Sequence, residues 1–167
     1  MELETLEKLY VNELKDLYSA EHQILKALPK MIEAATSKDL RAGFELHLKQ
    51  TEQQVKRLDK IFDRLGKVPT GKKCHGMEGL LEEGAELLKE DAEPAVLDAG
   101  MISAAQRVEH YEMAAYGTVR TYAELLDQPG DAKLLQATLD EEKDTNEKLT
   151  TLAGKINVEA MEPATHR

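Results

Sequence analysis

Tryptophan is absent, phenylalanine occurs twice and cysteine once in this chain of 167 residues. With Cys74 alone, an internal disulfide and a cysteine-rich zinc site are both excluded. Aromatics at 4% and only five prolines argue against a β-sandwich, whereas the abundance of Ala, Leu, Glu and Lys favours packed helices. Basic residues are also in deficit: 22 Lys and Arg face 32 Asp and Glu, a net charge of −10. Nucleic acid is therefore not expected as a partner, because phosphate binding needs a basic face that displaces counterions. No apolar run is long enough to span a membrane, and the start, Met1-Glu2-Leu3-Glu4, is acidic rather than signal-like. A cytoplasmic protein with no membrane partner is expected.

What is present is helical periodicity. The first apolar stripe reads Leu14, Leu17, Glu21, Ile24, Leu28 and Met31 in steps of three and four, interrupted at Pro29 and ending near Ala35. Thr36 and Ser37 supply a turn and an N-cap. A second stripe follows through Leu40, Phe44, His47, Thr51, Gln54, Leu58, Ile61 and Leu65, and Gly66 stops it. Residues 67–94 form a long connection holding a short helix from Met77 to Leu88. Pro94 opens a third long helix with Ile102, Ala105, Glu109, Glu112, Tyr116, Val119, Ala123 and Leu126. After the turn signal Gln128-Pro129-Gly130-Asp131, the last stripe runs Leu135, Thr138, Glu142, Thr145, Leu149, Leu152 and Ile156. A short first loop, a long crossover and a short last loop predict a ferritin-like, all-α four-helix bundle. One domain over 1–157 is expected, with a disordered tail over 158–167.

Four glutamates break these stripes: Glu21, Glu109, Glu112 and Glu142 stand where a bundle places leucine. Reflected across the two short turns, each polar cluster lies about 22 Å from its turn, so both fall in one central layer. Burying an ionised carboxylate costs several kcal/mol, on the order of ten for four, against a net stability of about 5–15 kcal/mol for a domain. Two divalent cations would balance four carboxylates, and oxygen ligands suit iron or manganese. His47 is a candidate ligand, and His110 flanks Glu109; Arg57 could reach back from one turn away. The alternative is a metal-free layer whose carboxyls are protonated and bonded to Thr51, Gln54, Thr145 and Tyr116. Cys74, beside His75, lacks the neighbours of a catalytic thiol, and Met31, Met77, Met101 and Met113 read as packing residues. In the run Asp140-Glu141-Glu142 only Glu142 falls on the stripe, so the rest reads as solvated.

Several stretches resemble a known family. Asp16 to Gln23, Ala104 to Thr118 (AAQRVEHYEMAAYGT), Leu139 to Thr150 (LDEEKDTNEKLT) and Cys74 to Glu83 (CHGMEGLLEE) are similar to the YciE/YciF family of bacterial stress proteins. The resemblance covers residues 3–156 and implies a rubrerythrin-like bundle of the ferritin-like superfamily. It implies Glu21 as the first-helix ligand of a dinuclear site, Glu109 and Glu112 as the paired glutamates of the third helix, and Glu142 as that of the fourth. Thr51 and Gln54 stand where the second helix should carry Glu-x-x-His, and Thr145 replaces the fourth-helix histidine.

Two functions follow as expectations. One is a stress-response protein binding iron or manganese, with peroxide reduction or metal oxidation as its chemistry and no catalytic residue assigned. The other is a non-catalytic structural or interaction protein on a degenerate ferritin scaffold. A homodimer is expected by family analogy in either case.

Overall fold

The computed structural model describes residues 3–161. Its helices are α1 (Leu6–Ala34), α2 (Lys38–Leu65), α3 (His75–Leu87), α4 (Pro94–Leu125) and α5 (Pro129–Glu159). Their ends follow from local chemistry. The Thr5 side chain caps α1 by accepting from the Lys8 amide at 3.2 Å, and Ser37 caps α2 by accepting from Leu40 at 3.3 Å. Gly66, at φ 60°, closes α2 in the left-handed conformation that glycine adopts without strain.

Three details differ from the sequence reading. Helix α1 runs straight through Pro29, whose ring lies on the exposed side, so the expected interruption does not form. Pro129 is the first residue of α5 rather than part of the turn, which moves back to Asp127 and Gln128. Asp127 takes the left-handed conformation, φ 56°, that the turn requires. Helix α5 also continues to Glu159, into the span expected to be a tail; residues 162–167 of that span lie outside the described residues.

Two carboxylates at helix starts define the topology. Asp98, in the second turn of α4, accepts hydrogen bonds from the Thr36 amide (2.9 Å), the Thr36 hydroxyl (2.6 Å) and the Ser37 amide (2.7 Å). The start of α4 therefore sits beside the start of α2. At the opposite end Arg64, closing α2, pairs with Asp131 in the first turn of α5. Helices α2 and α4 thus run parallel, as do α1 and α5, and the crossover must traverse the length of the bundle. Contacts of α1 with α2 and α4, and of α5 with α2 and α4, arrange the helices in the ring α1–α2–α5–α4. This is the ferritin-like four-helix bundle, with α3 laid over α1 and α4. No described helix is long and apolar enough to cross a membrane.

The Asp98 clamp is buried, 2% exposed, and its loss should be measurable. Asp98→Ala is expected to lower stability by about 2 kcal/mol, since charge-assisted bonds are lost although the exposed turn lets water replace part of them. Urea unfolding would read this as a lower midpoint at an unchanged slope.

The core is split into two apolar halves. One holds Ile24, Leu28, Phe44, Met101, Ile102, Leu149 and Ile156; the other holds Tyr10, Leu14, Leu58, Ile61, Phe62, Val119 and Leu135. The polar breaks in the four stripes lie between them.

Candidate metal centre

Glu21 from α1, His47, Thr51 and Gln54 from α2, Glu109 and Glu112 from α4, and Thr138 and Glu142 from α5 are all buried. Helical spacing puts them there: each occupies a core position on its stripe, so forming the bundle drives them inward whatever their charge.

Within this layer His47, Glu109, Glu112 and Glu142 each offer a ligand atom within 4.8 Å of the others. Two ligands on opposite sides of one ion at about 2.1 Å would stand about 4.2 Å apart, so small side-chain adjustments would bring the four onto a common cation. His47 Nε2 lies 3.3 Å from a Glu109 oxygen, yet neither ring nitrogen makes an aligned hydrogen bond. Both oxygens of Glu112 lack a hydrogen-bond partner, as does one oxygen each of Glu21, Glu109 and Glu142. Orphaned buried acceptors normally carry a cost of about 1–3 kcal/mol apiece, so these oxygens call for shared protons or a cation between them.

Other contacts fix the remaining atoms. Tyr116 donates its hydroxyl to Glu21, and the Gln54 amide donates to Glu142 and, at 3.0 Å, to Glu141. Arg57 grips Glu141 through two bonds of 2.7 and 2.6 Å and donates to Thr138 at 3.1 Å. Thr51 bonds back to the His47 carbonyl at 2.9 Å, so it serves its own helix rather than a carboxylate. Thr145 is half-buried on the wall of a neighbouring cavity.

The electrostatics follow from burial. Desolvation, then the charge of Glu142, lifts Glu21 well above the usual carboxyl range, while the bond from Tyr116 pulls it partly back. Desolvation followed by interactions with Glu142 raises Glu109, and Glu112 rises by desolvation with Glu142, Glu21 and Glu109 around it. Burial lowers the His47 imidazole despite the nearby acids, which favours the neutral form a metal requires. Burial and the charge of Glu21 hold the Tyr116 phenol protonated. These shifts favour protonated carboxyls where no cation is bound.

Of the residues expected from sequence, Glu109, Glu112, Glu142 and His47 converge, and Glu21 adjoins them through the layer. His110 is not brought in: it points to solvent, with a ring nitrogen 2.7 Å from the Gln106 carbonyl. The step of one residue from Glu109 rotates it about 100° off the stripe. Glu141 is the residue the pattern missed; read as solvated, it is half-buried and held by Arg57 and Gln54. Its signal was Arg57, a cation one turn from the layer on the facing helix. Cys74 caps α3, its sulfur 2.9 Å from the Tyr111 hydroxyl, and burial pushes the thiol up, away from a reactive thiolate.

Comparison with known proteins bears on this layer. The sequence model of a family described as a domain of unknown function, DUF892, matches residues 5–162. The protein YciF of Escherichia coli (strain K12) is 42% identical over 166 residues, covering 98% of this chain and all of that one. The crystal structure of that E. coli stress protein superimposes with a TM-score of 0.90, over 93% of this chain and 98% of the other. YcfI from Rhodopseudomonas palustris, 46% identical, superimposes at 0.87 over 90% and 96% of the two chains.

Proposed function

We propose that this chain, which belongs to the DUF892 family, is a stress-response protein whose buried layer holds iron or manganese as a pair of divalent ions. The observation that carries the metal reading is the convergence of unpartnered acceptors from His47, Glu109, Glu112 and Glu142 in a dry interior. His47 would supply the one nitrogen ligand. Glu109, Glu112 and Glu142 would supply oxygen ligands, and Glu21, which adjoins them with one oxygen free, would contribute a further one. Such ions, when bound, would supply peroxide reduction or metal oxidation. The protein's own part is to hold the ligands. Tyr116 and Gln54 each fix one oxygen of a glutamate, and the Arg57–Glu141 pair anchors Gln54 from outside. The stress role is suggested by the relative named a stress protein.

The same two bonds, Tyr116 to Glu21 and Gln54 to Glu142, favour the second reading, in which the layer fixes helix register without metal. Elemental analysis separates the two. Protein expressed in iron- and manganese-supplemented medium and purified without added metal is expected to carry at least one equivalent, with anomalous scattering at the corresponding edge centred among the four ligands. The double variant Glu109→Gln, Glu142→Gln should lose that metal while remaining folded. Metal-free wild-type protein that takes up neither Fe(II) nor Mn(II) under anaerobic conditions would leave only the structural reading.

A further inference from the structure

A cavity of about 330 Å³ adjoins the carboxylate layer on its α3 side and opens to the surface. Its walls are apolar, with Ile24, Leu28, Phe44, Val108 and Leu149 among them, and the buried His47 and Glu109 of the layer also line it. The volume is at the small end of the range for ligand pockets. Small residues create it. Gly43 lies within α2, where glycine costs about 1 kcal/mol relative to alanine, and a Cβ built there meets nothing within 4 Å. Gly84, Ala27, Ala104 and Ala105 keep the other walls low.

The rim is the second observation. Lys26 and Lys30 of α1 and Lys148 of α5 line it, all solvent-exposed, in a chain of net charge −10. Glu78 and Glu82 of α3 also line it, leaving the rim with an excess of one positive charge. Where the layer borders the cavity, the two ring nitrogens of His47 and one Glu109 oxygen are buried and unpartnered. An ionised head group would be costly beside these acids and is favoured at the lysines, whereas an aliphatic chain suits the walls.

We propose that this cavity binds a medium-chain aliphatic monocarboxylate, its head group at Lys26, Lys30 and Lys148 and its chain along Ile24, Phe44, Val108 and Leu149. The lysines and apolar side chains that would hold it are not among the candidate metal ligands, so binding can be tested with and without metal.

The test is isothermal titration of the full chain, as purified and after chelation, with decanoate and with decanol. Decanoate is expected to bind with one-to-one stoichiometry in both preparations, and decanol more weakly. Lys26→Gln with Lys148→Gln should weaken decanoate about tenfold and leave decanol unchanged. Gly43→Leu should abolish binding of both while raising the melting temperature, because leucine fills open space and favours helix; Gly43→Ala serves as the control that retains binding. Absence of decanoate binding to the native chain overturns the proposal. So does equal binding of decanol, or binding that survives Gly43→Leu. Binding seen only at dilutions where a dimer dissociates would assign the face to a second copy of the chain, and also overturns it.

Discussion

Stripped of metal by chelation, the protein is expected to melt at a lower temperature at pH 8 than at pH 6.5, and manganese or ferrous ion should reverse that order. Glu21, Glu109 and Glu112 all have carboxyls raised well above their unfolded values, chiefly by burial. A raised group contributes stability that is complete below the unfolded value and is lost as pH rises through the folded one. Each carboxyl still protonated in the folded state, but ionised when unfolded, costs about 1.4 kcal/mol per pH unit. His47 works the other way: its imidazole is lowered by burial, so its contribution is present above about 6.5 and lost as pH falls. Starting at pH 6.5 leaves the carboxyls to dominate. Cations bind only deprotonated ligands, so their stabilisation grows with pH and reaches about 4 kcal/mol at a thousandfold excess over Kd. Calorimetric melts over this range, with chelator and with metal, read both slopes. In Glu109→Gln, Glu142→Gln the chelated slope should flatten and the response to metal disappear. A chelated wild-type protein whose melting temperature holds level or climbs toward pH 8 would contradict a proton-sharing layer.

The layer was legible in sequence because helical periodicity forces a position inward regardless of its side chain. Glu21, His47, Glu109, Glu112 and Glu142 all lie in the interior for that reason, and counting residues from the two short turns gave their common height. Three-dimensional pairing was not legible. Tyr116 and Gln54 do bond carboxylates of the layer, but that Tyr116 on α4 meets Glu21 on α1 is a pairing no single hairpin encodes. Glu141 escaped because its burial comes from the length of Arg57 on another helix, not from its own stripe. Asp98 and Asp131 were within reach. Each stands four residues before the first residue read on its stripe, Ile102 and Leu135, so the periodicity could have been followed back one step. Both are buried carboxylates serving helix starts.

The second of these carboxylates should reveal its partner most clearly through a pair of substitutions. Asp131 is 1% exposed and accepts from Arg64 and, at 3.1 Å, from the Tyr10 hydroxyl. Burial pushes the Tyr10 phenol to about 12, so it remains a donor at any physiological pH. Arg64→Ala removes the only cation paired with Asp131 among the described contacts, leaving one neutral donor and the positive end of α5. Breaking a buried pair from one side costs about 3–5 kcal/mol; Arg64 is half exposed, which places the expected loss near the lower figure, about 3 kcal/mol. Gly130 supplies the check. A Cβ at this position would meet the flexible guanidinium tip of Arg64, so Gly130→Ala should displace it and destabilise the native protein by weakening its pair with Asp131. Once Arg64 is already alanine there is nothing to collide with. Gly130→Ala should then be neutral or stabilising by up to about 1 kcal/mol, because alanine favours helix. Denaturant unfolding of the two single variants and the double variant reads this change of sign. Equal effects of Gly130→Ala in both backgrounds would mean that Arg64 does not occupy the first turn of α5.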